Sequence, residues 1–364
     1  MTPSFLFSFA TLGLLVGLVV LVLAKRLTRA AAERRSSRRR HSWEAALGSG
    51  PVRELRMKEI RALARDAARS RRAQEDLLAL ISAGRLPPAD DRRQPFAAAL
   101  RRTGLQHSLR RACESRDAVK RGRAALIWAG LGLPGGERVI VRLTEDSDPD
   151  VRAAAVQALA ACASEDAAWA LIQAMRGGSV PPERCAERLT GPWAVAPLLS
   201  ALNDPGFSAV RSWLAESLGL TSDPRAVGPL IRLLSDGDDS QRIRACRALG
   251  RLGDGSASGV LVEALADPSA AVRAQAARAL AELRDERSVY ALVQLLGDTS
   301  WWVRARAGEA LRALGAPGIA ALRWCAETHT DPYARERAVE ALAHALAEAE
   351  DVQGPVETAP AVVA

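Results

Sequence analysis

Apolar and polar positions follow two different rhythms along the chain, and the change comes near residue 25. From Phe5 to Ala24 the chain holds 20 uncharged, mainly apolar residues, about the length a helix needs to cross the hydrocarbon core of a bilayer. Beyond it, apolar residues return three and four apart, the spacing that puts them on one face of a helix. The pattern is clearest in Asp267-Pro268-Ser269-Ala270-Ala271-Val272-Arg273-Ala274-Gln275-Ala276-Ala277-Arg278-Ala279-Leu280. There Val272, Ala276, Ala279 and Leu280 share a face. Leu283-Arg284-Asp285-Glu286 reads as a turn, and Val289, Leu292, Val293, Leu295 and Leu296 line a second helix. Upstream, Val52 to Ala83 has helical spacing. Gly84 and Pro87-Pro88 close it, and Pro95 opens another helix.

The helix pair recurs. A basic residue near the start of each first helix falls at Lys120, Arg152, Arg184, Arg211, Arg244, Arg273, Arg304 and Arg335, at intervals of 32, 32, 27, 33, 29, 31 and 31. One such pair cannot bury both of its faces, so a period near 31 predicts copies stacked into a continuous core. The expected fold class is all-α: an α-solenoid, a right-handed superhelix of stacked helix pairs, preceded by a single transmembrane helix. The expected organisation is an anchor over 1–24, a basic juxtamembrane stalk over 25–42, a degenerate or capping helical region over 43–113, the repeat array over 114–347 and a disordered tail over 348–364. Around 177–195 the consensus lapses, with Gly177-Gly178-Ser179-Val180-Pro181-Pro182 in place of the usual turn. That predicts a shorter or distorted copy, which serves as a bend, a partner contact or neither.

Asp146/Arg152, Asp238/Arg244, Asp267/Arg273 and Asp298/Arg304 each lie six apart. An Asp in the inter-repeat turn can cap the helix and accept a charge-assisted hydrogen bond from an Arg one turn in. The expectation is a structural Asp/Arg ladder rather than a set of ligand-binding arginines.

Asp148-Pro149-Asp150-Val151-Arg152-Ala153-Ala154-Ala155-Val156-Gln157-Ala158-Leu159 supplies a first helix, and Ala226-Val227-Gly228-Pro229-Leu230-Ile231-Arg232-Leu233-Leu234 a second. Together they resemble the HEAT repeat, in the short form named after phycobilisome lyases, over roughly residues 114–347. The resemblance implies stacked helix pairs and is nearly silent on function, because the fold hosts many unrelated roles. It also implies that second helices line the concave surface. Aligned there are Ser200, Arg232, Glu263, Gln294 and Trp324, beside a row of Trp169, Gly228, Gly259 and Tyr290. These rows are mixed in polarity and lack the Lys/Arg stripe expected for nucleic acid. They suit a protein or peptide partner, or a plain solvated face. The adjacent Trp301 and Trp302 cannot both face the core of one helix, and an exposed aromatic is a common interface anchor. Candidate partner-binding residues are therefore Trp169, Arg232, Glu263, Tyr290, Gln294, Trp301, Trp302 and Trp324.

Charge refines the picture near the apolar run. The net charge of +8 is unevenly spread, with +7 over 25–40, +9 over 42–140 and −8 over 141–364. Lys25, Arg26, Arg29, Arg34, Arg35, Arg38, Arg39 and Arg40 follow the apolar run directly. The positive-inside rule then places the N-terminus outside and the repeats in the cytoplasm, as a single-pass protein. A cleaved signal peptide ending at Val22-Leu23-Ala24 is the rival, but it wants a basic segment before the apolar run. The same basic residues are candidates for binding anionic lipid headgroups, or act as a topology signal only. Gly13 and Gly17 have the spacing of a helix-dimerisation motif. Arginine-rich usage, with Lys25, Lys58 and Lys120 the only lysines, suggests a GC-rich bacterium and hence the plasma membrane.

Candidate chemistry is sparse. Cys113, Cys162, Cys185, Cys246 and Cys325 form no C-x-x-C pair and read as buried thiols of a reducing compartment. No phosphate-binding loop, dinucleotide fingerprint or nucleophile elbow is present. His41, His107, His329 and His344 stand apart, with none in a His-Glu pair. Deoxyhypusine hydroxylases, a HEAT-like family, hold iron through such pairs, so their chemistry is not implied here. No catalytic, cofactor-binding or metal-ligating residue is identified, and no cofactor is expected. The expected function is a non-enzymatic, membrane-tethered scaffold that captures a membrane-associated partner protein. Alternatives are an enzyme of the HEAT-like lyase or oxidoreductase type, and a binder of anionic lipid or nucleic acid through residues 25–72.

Overall fold

A computed structural model describes residues 31, 33–38, 41–42, 62, 65–67, 70–82, 104–133 and 135–353. Every regular element among them is helical. The expected anchor, Phe5 to Ala24, lies outside the described residues. Among those described, no helix is long and apolar enough to cross a membrane. The chain divides into two compact units, residues 1–162 and 163–364.

In the first unit α1 (Arg71–Ser82), α2 (Leu105–Cys113), α3 (Ala118–Gly130), α4 (Glu137–Leu143) and α5 (Pro149–Cys162) follow in order. Helices α1, α2 and α5 pack on α3, whose Ile127 and Trp128 are buried with Leu105, Leu109, Ile140 and Leu159. Trp128 is a core residue with its one polar atom satisfied: Nε1–H donates to the Leu133 carbonyl at 2.9 Å. Asp117 caps α3 by accepting the Lys120 amide. Within 43–113 the described residues are helical apart from Ser70 and Gly104.

The second unit runs α6 (Glu165–Gly177), α7 (Pro182–Ala186), α8 (Pro192–Asn203), α9 (Arg211–Leu220), α10 (Val227–Asp236), α11 (Asp239–Leu252), α12 (Ser258–Glu263), α13 (Ala270–Leu283), α14 (Val289–Leu295), α15 (Trp301–Ala313), α16 (Ala316–Thr328) and α17 (Pro332–Gln353). The first helices α9, α11, α13, α15 and α17 pack each on the next. The second helices carry leucines to the core, among them Leu198, Leu230, Leu261, Leu292 and Leu322. Asp223, Asp254 and Asp285 each cap a short 3₁₀ turn before a second helix, accepting the amide two residues on at 2.9, 2.9 and 3.1 Å. They stand 31 residues apart, a periodic set that the first-helix pattern does not reveal.

Small residues let the first helices approach. A Cβ on Gly219 would sit 2.6 Å from the Ala248 Cα, and one on Gly250 would sit 2.9 Å from the Ala279 Cα. The lapse at 177–195 is a truncated copy. Helix α6 ends on Gly178 in the left-handed region at φ 68°, a conformation glycine adopts without steric cost. The five-residue α7 then stands where a full first helix would, packed on α6 and α9. At the far end, α17 runs through Gln353, so the tail expected from residue 348 begins inside a helix. The run from Ala345 to Glu350 is Ala, Leu and Glu, all good helix formers, and Gly354-Pro355 lies just beyond it.

Candidate functional site

Arginines at the first turns meet aspartates of the following copy. Arg121 places Nε and Nη2 each 2.7 Å from the Asp146 carboxylate. Arg242 grips Asp267 at 2.9 and 3.0 Å, and Arg273 grips Asp298 at 2.7 and 2.9 Å. In each case the partners are 25 residues apart. The third nitrogen, Nη1, ties down the arginine's own turn, donating to the carbonyl of Ser115, Gly237 or Asp267 at 2.9, 3.0 or 2.8 Å. The carboxylates also accept the amide two residues on, from Asp148, Ser269 and Ser300 at 2.9, 2.8 and 2.7 Å. The hydrogen bonds from Arg121 hold the Asp146 carboxyl below the usual range against the effect of its burial.

This corrects the expected ladder in two respects. At a spacing of six, Arg152, Arg273 and Arg304 reach the backbone carbonyls of Asp146, Asp267 and Asp298, each at 2.8 Å, and not their carboxylates. The carboxylate forks run between copies instead. The forking residues also differ from the expected ones: Arg242 forks in place of Arg244, and Arg121, beside the repeat marker Lys120, forks onto Asp146 in place of Arg152. Helix α11 starts at Asp239, with Asp238 as its cap, accepting the Gln241 amide at 2.9 Å. Arg242 is then the fourth residue of its helix, like Arg121 and Arg273. Two residues further on, a side chain is turned through roughly 200°.

Arg244 joins another group. Its guanidinium lies 3.5 Å from the Trp213 ring centroid and 3.2 Å from Glu216. Arg247 and Arg251 reach the same carboxylate at 3.4 and 2.5 Å, so three guanidiniums share one anion. Burial lowers the Arg244 pKa, partly offset by Glu216.

The second-helix row lies at the surface: Ser200, Arg232, Glu263, Gln294 and Trp324 are all exposed, as are Gly228, Gly259 and Tyr290 beside it. Trp169 is half-buried, 6.1 Å from Phe207 between ring centroids. Trp301 and Trp302 are both exposed and meet edge to face at 5.4 Å, with Arg306 over the Trp302 ring at 4.4 Å. Arg304 lies 5.1 Å from the Tyr333 ring. Exposure is 76 % at Tyr290, 61 % at Trp301, 45 % at Trp302, 56 % at Trp324 and 61 % at Tyr333. Among the described residues, exposed large aromatics are thus confined to 290–333.

Of the candidate lipid-headgroup residues, Arg34, Arg35 and Arg38 are exposed on helical residues. Lys25, Arg26, Arg29, Arg39 and Arg40 lie outside the described residues. Ser36 Oγ hydrogen-bonds to Asp76 of α1. Cys113, Cys185, Cys246 and Cys325 are buried and Cys162 half-buried, all as free thiols. Burial pushes Cys113, Cys162, Cys185 and Cys246 up to about 12. Among the described residues, no group of three or more His, Cys, Asp or Glu is placed to hold a metal ion.

The family model for HEAT repeats matches residues 107–188, 195–268 and 258–343, its interruption falling just after the short helix α7. No curated protein matches the chain by sequence. Among solved structures, the karyopherin Kap121p bound to the SUMO protease Ulp1p is similar at 13 % identity with a TM-score of 0.50, covering 83 % of this chain and 40 % of that one. An engineered protein is 21 % identical with a TM-score of 0.34, covering 86 % of this chain and 96 % of that one. Human deoxyhypusine hydroxylase in complex with glycerol is 20 % identical with a TM-score of 0.29, covering 81 % and 97 %. The likeness to Kap121p concerns the fold alone.

Proposed function

The chain belongs to the HEAT-repeat family, and on that premise we propose that it is a protein-binding scaffold held at a membrane. Its repeats capture a partner protein and carry out no reaction of their own. The observation that carries this reading is the exposed aromatic set Tyr290, Trp301, Trp302, Trp324 and Tyr333. Large aromatics left in water forgo their burial energy, and they are the side chains that dominate protein interfaces once covered. Kap121p, with a similar fold, is bound to a protein, the protease Ulp1p.

The membrane part of the proposal rests on the apolar run Phe5 to Ala24 and the basic cluster after it. That order of segments puts the repeats on the cytoplasmic side. Tethering raises the effective concentration of partners in the same plane, so the partner is itself membrane-associated. Basic residues beside the bilayer add about 1 kcal/mol each of attraction to anionic lipid.

The test is co-purification from native membranes, comparing the full chain with a Trp301→Ala/Trp302→Ala/Trp324→Ala variant at equal abundance. A protein retained by the first and lost by the second is expected. Identical retention sinks the aromatic surface, and stoichiometric iron or chromophore in the purified chain sinks the non-enzymatic reading. A reporter fused after Ala364 is expected on the cytoplasmic side, and a signal from the far side overturns the topology.

A further inference from the structure

One rung of the ladder stands open. Arg211 lies 31 residues before Arg242, and Asp236 lies 31 before Asp267. The pair is thus 25 apart, like the three closed rungs. Yet Arg211 forks onto no carboxylate among the described residues, and its Nε is buried without a partner. The cause lies in the backbone. Arg121, Arg242 and Arg273 are each the fourth residue of an α-helix, whereas Arg211 is the first residue of α9. The turn before it is the 3₁₀ segment Pro205–Val210, kinked at Phe207 with φ −111° and ψ 16°. A 3₁₀ turn is narrower and rises further per residue than an α turn, so it delivers the guanidinium in a different place. Between Arg211 and Asp236 a cavity of about 220 Å³ remains, lined also by Asn203, Arg232 and Gln241.

We propose that this cavity takes a carboxylate supplied by a partner: the side chain of an aspartate or glutamate on a bound polypeptide. Arg211, which lines the cavity, pairs with it as the other rung arginines pair with the next copy's Asp. Arg232 adds a second cation at the rim. Asp236 in the lining repels any anion, a singly charged carboxylate less than a multiply charged phosphate. The site rests on the protein-binding reading above.

The experiment uses the full chain in non-ionic detergent, with arginine labelled in ¹⁵N. The Arg211 Nε–H resonance is identified by its loss in Arg211→Lys. Acetylated, amidated hexaglutamate is expected to shift that resonance, and the hexaglutamine counterpart to leave it in place. Arg211→Lys, which keeps the charge but cannot fork, weakens hexaglutamate binding by a factor of about ten. Asp236→Asn tightens it and leaves the melting temperature unchanged. Two results overturn the proposal. If no carboxylate moves the resonance the proposal fails, and if Asp236→Asn then also lowers the melting temperature, Arg211 and Asp236 form an ordinary closed rung. If succinate binds but hexaglutamate does not, the ligand is a small acid. Neither result touches co-purification with the tryptophan variant, so failure here is separable from failure of the scaffold reading.

Discussion

Arg273 spends three nitrogens at once. Two hold Asp298 of the next copy and one closes the turn that begins its own helix. Lysine has no fork to do this, so Arg273→Lys is expected to cost about 1–2 kcal/mol. Asp298→Ala strands a half-buried guanidinium and costs about 3 kcal/mol; urea unfolding checks both. The rungs also predict a pH dependence. Burial pushes the Asp298 carboxyl up, but hydrogen bonds from Arg273 and the Ser300 amide outweigh it and hold it below its ordinary value. A carboxyl depressed in the folded state stabilises fully above its unfolded pKa, about 3.9, and loses that contribution as pH falls through the folded value. Stability is therefore expected to drop below about pH 4, with a shallower acid limb in Asp298→Asn. The thiols raise a separate expectation. Because burial pushes Cys113, Cys185 and Cys246 to about 12, they are expected to resist a thiol reagent at pH 8 until the chain unfolds.

At the scale of the helix, three glycines separate two roles. Gly219 and Gly250 sit where neighbouring first helices touch, and an added methyl meets Ala248 or Ala279 at 2.6–2.9 Å. Gly219→Ala and Gly250→Ala are expected to destabilise by about 1–3 kcal/mol, despite the better helix propensity of alanine. On α12, a methyl added at Gly259 would meet nothing within 4 Å, so Gly259→Ala is expected to stabilise by about 0.5–1 kcal/mol. Thermal denaturation of the three variants checks the contrast. The α9–α11 contact carries its own electrostatic commitment. Glu216→Gln removes the anion shared by Arg244, Arg247 and Arg251. It is expected to cost about 2 kcal/mol, the arginines being partly solvated, with part of the loss recovered in high salt.

At the scale of the molecule, the exposed aromatics among the described residues stand apart from the Asp/Arg rungs. Trp301 and Trp302 touch each other and Arg306 but are not buried. The double alanine variant is expected to change stability by no more than about 0.5 kcal/mol while weakening partner capture by about 2 kcal/mol or more. Melting curves and a binding assay on one preparation check both halves. A large loss of stability assigns the pair to folding instead. The ladder behaves oppositely, since its carboxylates are turned toward neighbouring copies and its loss reads out in stability.

Much of the fold was legible because it depends on local spacing. The helical recurrence of Ala, Leu and Val defines the buried face, the repeat near 31 residues defines the copies, and the lapse at 177–195 marks the truncated one. Exposure of Arg232, Glu263, Gln294 and Trp324 follows from the same register. Phase was harder to read. The uneven intervals around Arg244 concealed Arg242, which restores a spacing of 31 from Arg211 through Arg242, Arg273, Arg304 and Arg335. A helix turns a side chain through about 100° per residue, so an error of two residues in the helix start sends an arginine to Trp213 and Glu216 instead of an aspartate. The sequence by itself therefore determined the helices, their repetition and the faces they bury. Only the tertiary structure decided which charges meet, because those partners lie 25 to 35 residues apart and their meeting depends on where each helix starts and how closely its neighbour packs.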